Sequence, residues 1–230
     1  MRLIEFFGLP GSGKTTSAKA LLDLGQTQPD PLSWRVVGLS SERRLSRSLF
    51  KGLLIASHPL VSARVLRECL RPVRHVAYVR LGRFASATLN MMFVVSLLHT
   101  VRKERSLILD QGFFQGCWAI LRAMKPDRRQ ELEIATLFEI AYSAFDRDQI
   151  ELVYVHCDGY EARMRKLIRT GLPDKLGNEA WLDIEQDEAC ISLVRHFVMG
   201  LVEVGEIYAC HDCDGTLERL DSKISRMGAS

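Results

Sequence analysis

Short apolar runs alternate with longer segments of helical periodicity along this chain. Five runs have the length and composition of buried strands: 3–7, 34–39, 106–110, 152–156 and 206–210. Between them, apolar residues recur at helical spacing, and glycine or proline interrupts the pattern. Strands that alternate with helices predict an α/β fold with a parallel sheet covered by helices.

Helical periodicity fills most of the chain between these strands. The expected helical segments are 14–24, 43–105 with breaks near Pro59, Pro72 and Gly82, 114–124, 128–145, a segment within the region from 160 to 178, 182–204 and 217–227. The most apolar stretch, 85–101, includes Asn90 and His99 and is short for a bilayer span. It therefore predicts a buried helix, and we expect no transmembrane segment.

Composition narrows the class of protein. The chain has 230 residues, of which 47% are hydrophobic and 26% charged, which is ordinary for one soluble domain and excludes a disordered or fibrous protein. Six cysteines lack the spacing of a disulfide framework, which favours free thiols in a reducing cytoplasm. Residues 35–105 carry 14 Lys and Arg against 3 Asp and Glu, whereas 106–230 carry 14 against 22. The basic middle third indicates either an anionic ligand or solvated helix faces.

A glycine-rich loop joins the first strand to the first helix. Residues Gly8–Thr15 match the pattern G-x-x-x-x-G-K-[ST]. Glycines let backbone N–H groups approach a phosphate, Lys14 reaches the β- and γ-phosphates, and the Thr15 hydroxyl ligates Mg²⁺. The residues expected to contact the nucleotide here are Gly8, Pro10, Gly11, Ser12, Gly13, Lys14, Thr15 and Thr16.

An aspartate ends the third strand. Asp110 follows the apolar run Leu107–Leu109 and should lie beside the phosphate loop. Its carboxylate is a candidate to hold Mg²⁺, or to orient or deprotonate an acceptor hydroxyl. Capping of the next turn is the purely structural alternative.

Three arginines follow the fourth strand. Arg165 and Arg169 are four residues apart and share a helix face, while Arg163 projects elsewhere from the same helix. The glycine- and proline-containing stretch 171–177 suits a hinge. These arginines are candidate catalytic lid residues that neutralise the transferred phosphoryl group, although a solvated basic helix has the same pattern.

Sequence motifs beyond the loop indicate the class of phosphate-loop protein. No N-K-x-D guanine motif is present, which disfavours a GTPase. The order and spacing of four stretches resemble those of nucleoside monophosphate kinases, thymidylate kinase above all. They are Gly8–Thr15, Leu107–Gly112, Leu152–Asp158 with Arg165–Gly171, and Ile207–Thr216. Two departures concern the acceptor: Gln111 stands where that family has arginine, and 34–44 lacks its Arg-Glu-Pro-Gly segment.

The resemblance implies a three-layer α/β/α P-loop domain over 1–230. The implied sheet has five parallel strands in the order 2-3-1-4-5, with a helical acceptor-binding insertion at about 41–83 and a lid at about 159–180. It also implies that Asp214 and Gly215 contact adenine. Candidate acceptor-binding residues are Arg43, Arg44 and Gln111.

These observations predict a cytoplasmic, ATP- and Mg²⁺-dependent small-molecule kinase of nucleoside monophosphate kinase type. One alternative changes the acceptor to a hydroxyl of a sugar, nucleoside, lipid or antibiotic. A second is a nucleotide-binding switch or adaptor that lacks an acceptor. No DNA or RNA partner is expected because the basic segment has no recognised nucleic-acid motif and few aromatic residues; homodimerisation stays open.

Overall fold

The sheet contains five parallel strands. A computed structural model describes residues 2–26, 34–37, 44–101, 106–143, 145–146, 149–170, 178–200 and 204–208. The strands are β1 (Arg2–Phe7), β2 (Trp34–Val37), β3 (Ser106–Leu109), β4 (Ile150–His156) and β5 (Val204–Tyr208). They lie in the order β2-β3-β1-β4-β5, with every neighbouring pair parallel, which is also the order that the sequence resemblance implied.

Eight α-helices are described around the sheet. They are α1 (Lys14–Gln26), α2 (Arg44–Ser57), α3 (Pro59–Leu70), α4 (Leu81–Val101), α5 (Phe113–Ala123), α6 (Ile134–Tyr142), α7 (Gly159–Thr170) and α8 (Asn178–Met199). The predicted breaks near Pro59, Pro72 and Gly82 are confirmed: α2 ends at Ser57, and the 3₁₀ segments Arg71–His75 and Tyr78–Arg80 separate α3 from α4. The helix predicted at 182–204 begins and ends earlier, at Asn178 and Met199, and Val204 already belongs to β5.

The predicted helix at 128–145 is shorter than expected. A 3₁₀ turn covers Pro126–Glu131, and Leu132 and Glu133 leave helical geometry before α6 begins at Ile134. Arg129 is buried in that turn and donates from Nε to the Leu121 carbonyl, 3.3 Å away. This contact links the 3₁₀ turn to α5. The helix expected at 217–227 lies outside the described residues.

Side chains along the central strands point alternately to the two faces of the sheet, which divides the core into two clusters. Ile4 and Phe6 point toward the α1 side, where they pack with Ala18 and Leu21. Leu3 and Phe7 point to the opposite side, into a larger cluster that includes buried residues of α4, α5, α6 and α8. The buried parallel sheet with helices on both faces confirms the predicted α/β class.

Helix α4 is a core helix in this structure. The stretch Tyr78–Thr100 is long and apolar enough to cross a bilayer, but 61% of its most apolar window is buried inside the protein. Met91, Val95 and Leu98 are fully enclosed in the main core cluster. This burial accounts for the apolar composition, as the sequence predicted.

Candidate active site

The phosphate loop passes between the end of β1 and the start of α1. Gly8, Gly11 and Gly13 have φ angles of 148°, 102° and 100°, a region that side chains disfavour. A Cβ on Gly11 would also collide with the backbone carbonyl of Ala162 in α7. The glycines therefore meet two requirements, a left-handed backbone and a close approach to the helix after β4.

Lys14 lies folded against this loop. Its side chain is 7% exposed, and Nζ donates to the carbonyl oxygens of Gly8 at 3.0 Å and Leu9 at 2.7 Å. The Ser12 N–H closes the turn by donating to the Leu9 carbonyl at 3.0 Å. The ammonium is thus already inside the loop whose backbone would hold a phosphate.

The structure brings Thr15 and Asp110 together. Thr15 Oγ1 donates to Asp110 Oδ2 at 2.9 Å, although the residues are 95 positions apart. Thr15 lies in the first turn of α1, and Asp110 directly follows β3, the strand that pairs with β1. Two candidate metal-binding residues from the sequence thus share one point at the carboxyl edge of the sheet.

The same residues fit a magnesium ion chemically. Asp110 is 2% exposed, and its Oδ1 is buried with no hydrogen-bond partner; the hydroxyl of Ser12, within the phosphate loop, is also buried and has no hydrogen-bond partner. Buried, unsatisfied polar oxygens are costly and unusual in folded proteins. Carboxylate and hydroxyl oxygens are the hard ligands that Mg²⁺ prefers, so Thr15 and Asp110 would hold the ion.

Glu5 is a buried carboxyl that the sequence reasoning missed. It lies on β1 with no exposed surface, accepts a hydrogen bond from the Phe114 N–H at 2.7 Å and accepts another from the Tyr142 hydroxyl. Burial raises its pKa to about 7 from the usual 4.5. The available signal was a single charge within the apolar run Leu3–Phe7.

Glu5 supports the turn that follows Asp110. A Cβ on Gly112 would collide with the Glu5 carboxyl group, so the turn packs directly on it. Phe114, whose N–H it accepts, is in the first turn of α5, and the N-cap Gly112 has no side chain to cap that helix. Glu5 therefore caps α5 from a neighbouring strand and joins β1 to the loop that carries Asp110.

The candidate lid helix touches the phosphate loop. Arg163 lines a small cleft with Leu9 and Pro10 of the loop and with Ile184 and Asp187 of α8. Arg165 forms an ion pair with Glu161 at 2.5 Å, one turn earlier on α7. Arg163 is thus the arginine that this structure brings to the loop. Arg169 lies on α7, but its side chain and residues 171–177 are outside the described part.

The structure describes only some of the remaining candidate site residues. Gln111 is exposed directly after Asp110, and Thr16 is exposed on α1. Arg44 begins α2, but its side chain is not among those described. Arg43, Asp214 and Gly215 lie outside the described residues, so their predicted roles stay predictions.

Comparison with known proteins identifies the fold. No protein-family model and no curated protein sequence matches the chain. The solved structure of deoxyadenosine kinase from M. mycoides with bound dATP aligns over 97% of this chain and 99% of that chain, with a TM-score of 0.56 and 13% identity. The same kinase with the products dCMP and a flexible dCDP aligns over the same shares, with a TM-score of 0.53 and 12% identity. This chain therefore has the fold of a nucleoside kinase.

Proposed function

We propose that this protein transfers a phosphoryl group from ATP, with Mg²⁺, to a small-molecule acceptor. The observation that carries the proposal is the hydrogen bond from Thr15 to Asp110 beside the phosphate loop. It joins the hydroxyl and the carboxylate that a magnesium–nucleotide site needs, at the edge where parallel α/β sheets bind ligands.

The donor side is formed by the loop and α1. Backbone N–H groups of the loop and the helix N-terminus bind phosphate oxygens, and the glycines keep that approach open. Lys14 exchanges its contacts with the Gly8 and Leu9 carbonyls for charged phosphate oxygens, which form stronger hydrogen bonds. Bound Mg²⁺ supplies neutralisation of the phosphate charge, and Thr15 and Asp110 orient it.

Asp110 acts through the metal in this proposal. One of its oxygens is bonded to Thr15, and the carboxylate is almost completely buried. A general base must reach the acceptor proton directly or through one water molecule. The geometry supports a metal-holding role better than deprotonation of an acceptor hydroxyl.

Arg163 is the favoured charge-neutralising residue of the lid. Its position against Leu9 and Pro10 is within the region where a bound triphosphate would end. Arg165 either keeps its ion pair with Glu161 and so stabilises α7, or turns toward the nucleotide when the lid closes over it. Arg169 is retained as the third lid candidate because of its spacing in the sequence.

A nucleoside hydroxyl is the acceptor that we favour. The support is the shared fold over nearly the whole chain with a deoxyadenosine kinase solved with dATP and with dCMP and dCDP. A nucleoside monophosphate is the second candidate, supported by the sequence resemblance to thymidylate kinases and by the basic segment 35–105.

The test is a transfer assay with γ-labelled ATP and Mg²⁺. The acceptor panel contains deoxynucleosides, nucleoside monophosphates and sugars, and labelled product is separated from ATP. Lys14→Ala is the inactive variant, and Lys19→Ala, an exposed lysine on the same helix, is its matched control. We expect label on a deoxynucleoside for wild type and Lys19→Ala, and none for Lys14→Ala.

Two other outcomes are informative. Label on a nucleoside monophosphate alone would replace the favoured acceptor with the second candidate. Release of ADP at the same rate with and without each acceptor would contradict a kinase and favour the nucleotide-binding switch.

A further inference from the structure

The outer face of α2 is apolar and exposed. Leu49 and Leu53 have 70% and 71% of their surface exposed, and Phe50 has 51%. With the exposed Ala56, these residues fall on one side of the helix because they are spaced at about 100° per residue. A contiguous exposed apolar face of this kind marks an interaction surface.

The opposite side of α2 is already occupied by α4. Lys51 donates to the Asn90 side chain at 2.7 Å and lies over the Phe93 ring. Leu54 is buried in the main core cluster. The half-exposed Phe50 also reaches this side, since its ring packs edge-on against Phe93 with 6.2 Å between centroids. Leu49, Leu53 and Ala56 are therefore the apolar residues beyond those that α2 uses to fold onto the core.

Helix α3 continues this surface with basic residues. It turns away from α2 by 102° at His58, and Leu60, 81% exposed, lies just past the corner. Arg64, Arg67 and Arg71 follow Leu60 at spacings of four, three and four; Arg71 is the C-cap residue of α3 and keeps helical backbone angles, so all four residues share one helix face. We call the outer faces of α2 and α3 the corner surface, formed by Leu49, Phe50, Leu53, Ala56, Leu60, Arg64, Arg67 and Arg71.

Charged residues within the segment 49–100 are almost all basic. Between residues 49 and 100 the sequence has seven Lys and Arg but one acidic residue, Glu68. Glu68 is 1% exposed and pairs with Arg67 and Arg71. The described surface of this region thus offers an anionic partner many cations and no exposed carboxylate.

We propose that the corner surface docks onto an anionic lipid bilayer, with the α2 leucines and phenylalanine inserted at the headgroup level and the α3 arginines against the lipid phosphates. Exposed apolar side chains beside arginines are the composition of helices that lie in a membrane interface. The 102° bend and the exposed arginines on α3 are incompatible with α2 and α3 forming one membrane span.

A second copy of this chain is a poorer occupant. A two-fold interface pairs residue i of one copy with a different residue j of the other, so the α2 leucines could meet there while the α3 arginines gain no anionic partner from an equally cationic copy. An anionic bilayer instead complements both the exposed apolar side chains and the arginines of the corner surface.

The test is co-sedimentation of the full chain with vesicles, without nucleotide. The vesicles contain phosphatidylcholine alone or phosphatidylcholine with phosphatidylserine. We expect binding to the anionic vesicles that weakens as salt is raised, and at least roughly tenfold weaker binding to neutral vesicles. Equal binding to both compositions, or none to the anionic ones, would overturn the proposal.

Four variants locate the binding on the surface. Leu53→Glu and Arg64→Glu should each reduce anionic-vesicle binding by roughly tenfold or more. Met199→Glu on α8 and Lys125→Glu match the two changes at exposed positions elsewhere, and both should bind as wild type. If all four variants bind alike, the corner surface is not the lipid site.

Light scattering on the same samples tests whether the corner surface binds a second copy of the chain. We expect wild type and Leu53→Glu to have the same mass in solution. A wild-type dimer that Leu53→Glu converts to a monomer would assign this face to self-association and overturn the lipid proposal. Circular dichroism and melting temperature check that each variant is folded, and neither outcome depends on phosphotransfer.

Discussion

Thr15 Oγ1 lies 2.9 Å from Asp110 Oδ2, and this hydrogen bond joins the first turn of α1 to the end of β3. A parallel sheet places both groups at its carboxyl edge, where the loops after β1 and β3 lie side by side. The bond satisfies one carboxylate oxygen and leaves Oδ1 buried without a partner. That remaining oxygen is the reason to expect a ligand at this point.

Asp110→Asn should weaken the response to magnesium. The amide keeps the size of the side chain but removes the charge that helps to hold the ion, so we expect the Mg²⁺ concentration for half-maximal activity to rise roughly 10- to 100-fold. Steady-state assays over a series of Mg²⁺ concentrations measure this half-maximal concentration. Asp127→Asn, at an exposed position, is the control. A fall in kcat at unchanged Mg²⁺ requirement would instead indicate that Asp110 deprotonates the acceptor.

Gly11→Ala should destabilise the protein and weaken ATP binding. The φ angle of 102° is unfavourable for alanine, and the new Cβ would meet the Ala162 carbonyl. We expect a loss of about 1–3 kcal/mol in the free energy of unfolding, measured by urea denaturation. Gly82→Ala, on an exposed helix position with nothing within 4 Å, is the matched control and should be neutral or stabilising. Equal effects of the two substitutions would contradict the geometry of the loop.

Glu5 should make stability fall as pH rises toward neutrality. Its pKa is raised from 4.5 in the unfolded chain to about 7 in the folded one, so the folded state binds the proton more tightly. The resulting stabilisation is complete below pH 4.5 and is lost as pH rises through 7. The shift corresponds to about 3 kcal/mol over that range.

The measurement is the free energy of unfolding of wild type minus that of Glu5→Gln, which removes the titration. We expect this difference to decrease between about pH 5 and pH 8. Glu185→Gln, at an exposed position on α8, should give a difference that does not vary with pH in that way. A flat difference for Glu5→Gln would show that the carboxyl is not perturbed.

The sequence predicted the fold class and the position of Asp110 beside the phosphate loop because both have local signals. The Gly8–Thr15 motif requires a strand before it and a helix after it, and Asp110 ends an unmistakably apolar strand. Adjacent parallel strands then bring Thr15 and Asp110 together without further information. Specific recognition as a thymidylate kinase was not confirmed by the comparisons, which reach a nucleoside kinase fold.

Features that depend on tertiary contacts were beyond the sequence pattern. Glu5 occupies a strand position that alternation assigns to the core, and only the turn at Gly112 and the Tyr142 hydroxyl explain why a carboxyl is there. Likewise, the bond from Arg129 to Leu121, which links the 3₁₀ turn before α6 to α5, joins two elements that the helical pattern does not relate. The Arg163 side chain approaches the loop because α7 packs against Gly11, a contact that no spacing rule gives.

Calorimetric titration of the protein with ATP and Mg²⁺ tests the central claim most directly, because it asks only whether the phosphate loop binds a nucleotide. We expect saturable binding to wild type and to Lys19→Ala, and roughly 10- to 100-fold weaker binding to Lys14→Ala, since a hydrogen bond to a charged group is lost. Absence of ATP binding to wild type, or equal affinities for Lys14→Ala and Lys19→Ala, would contradict the account.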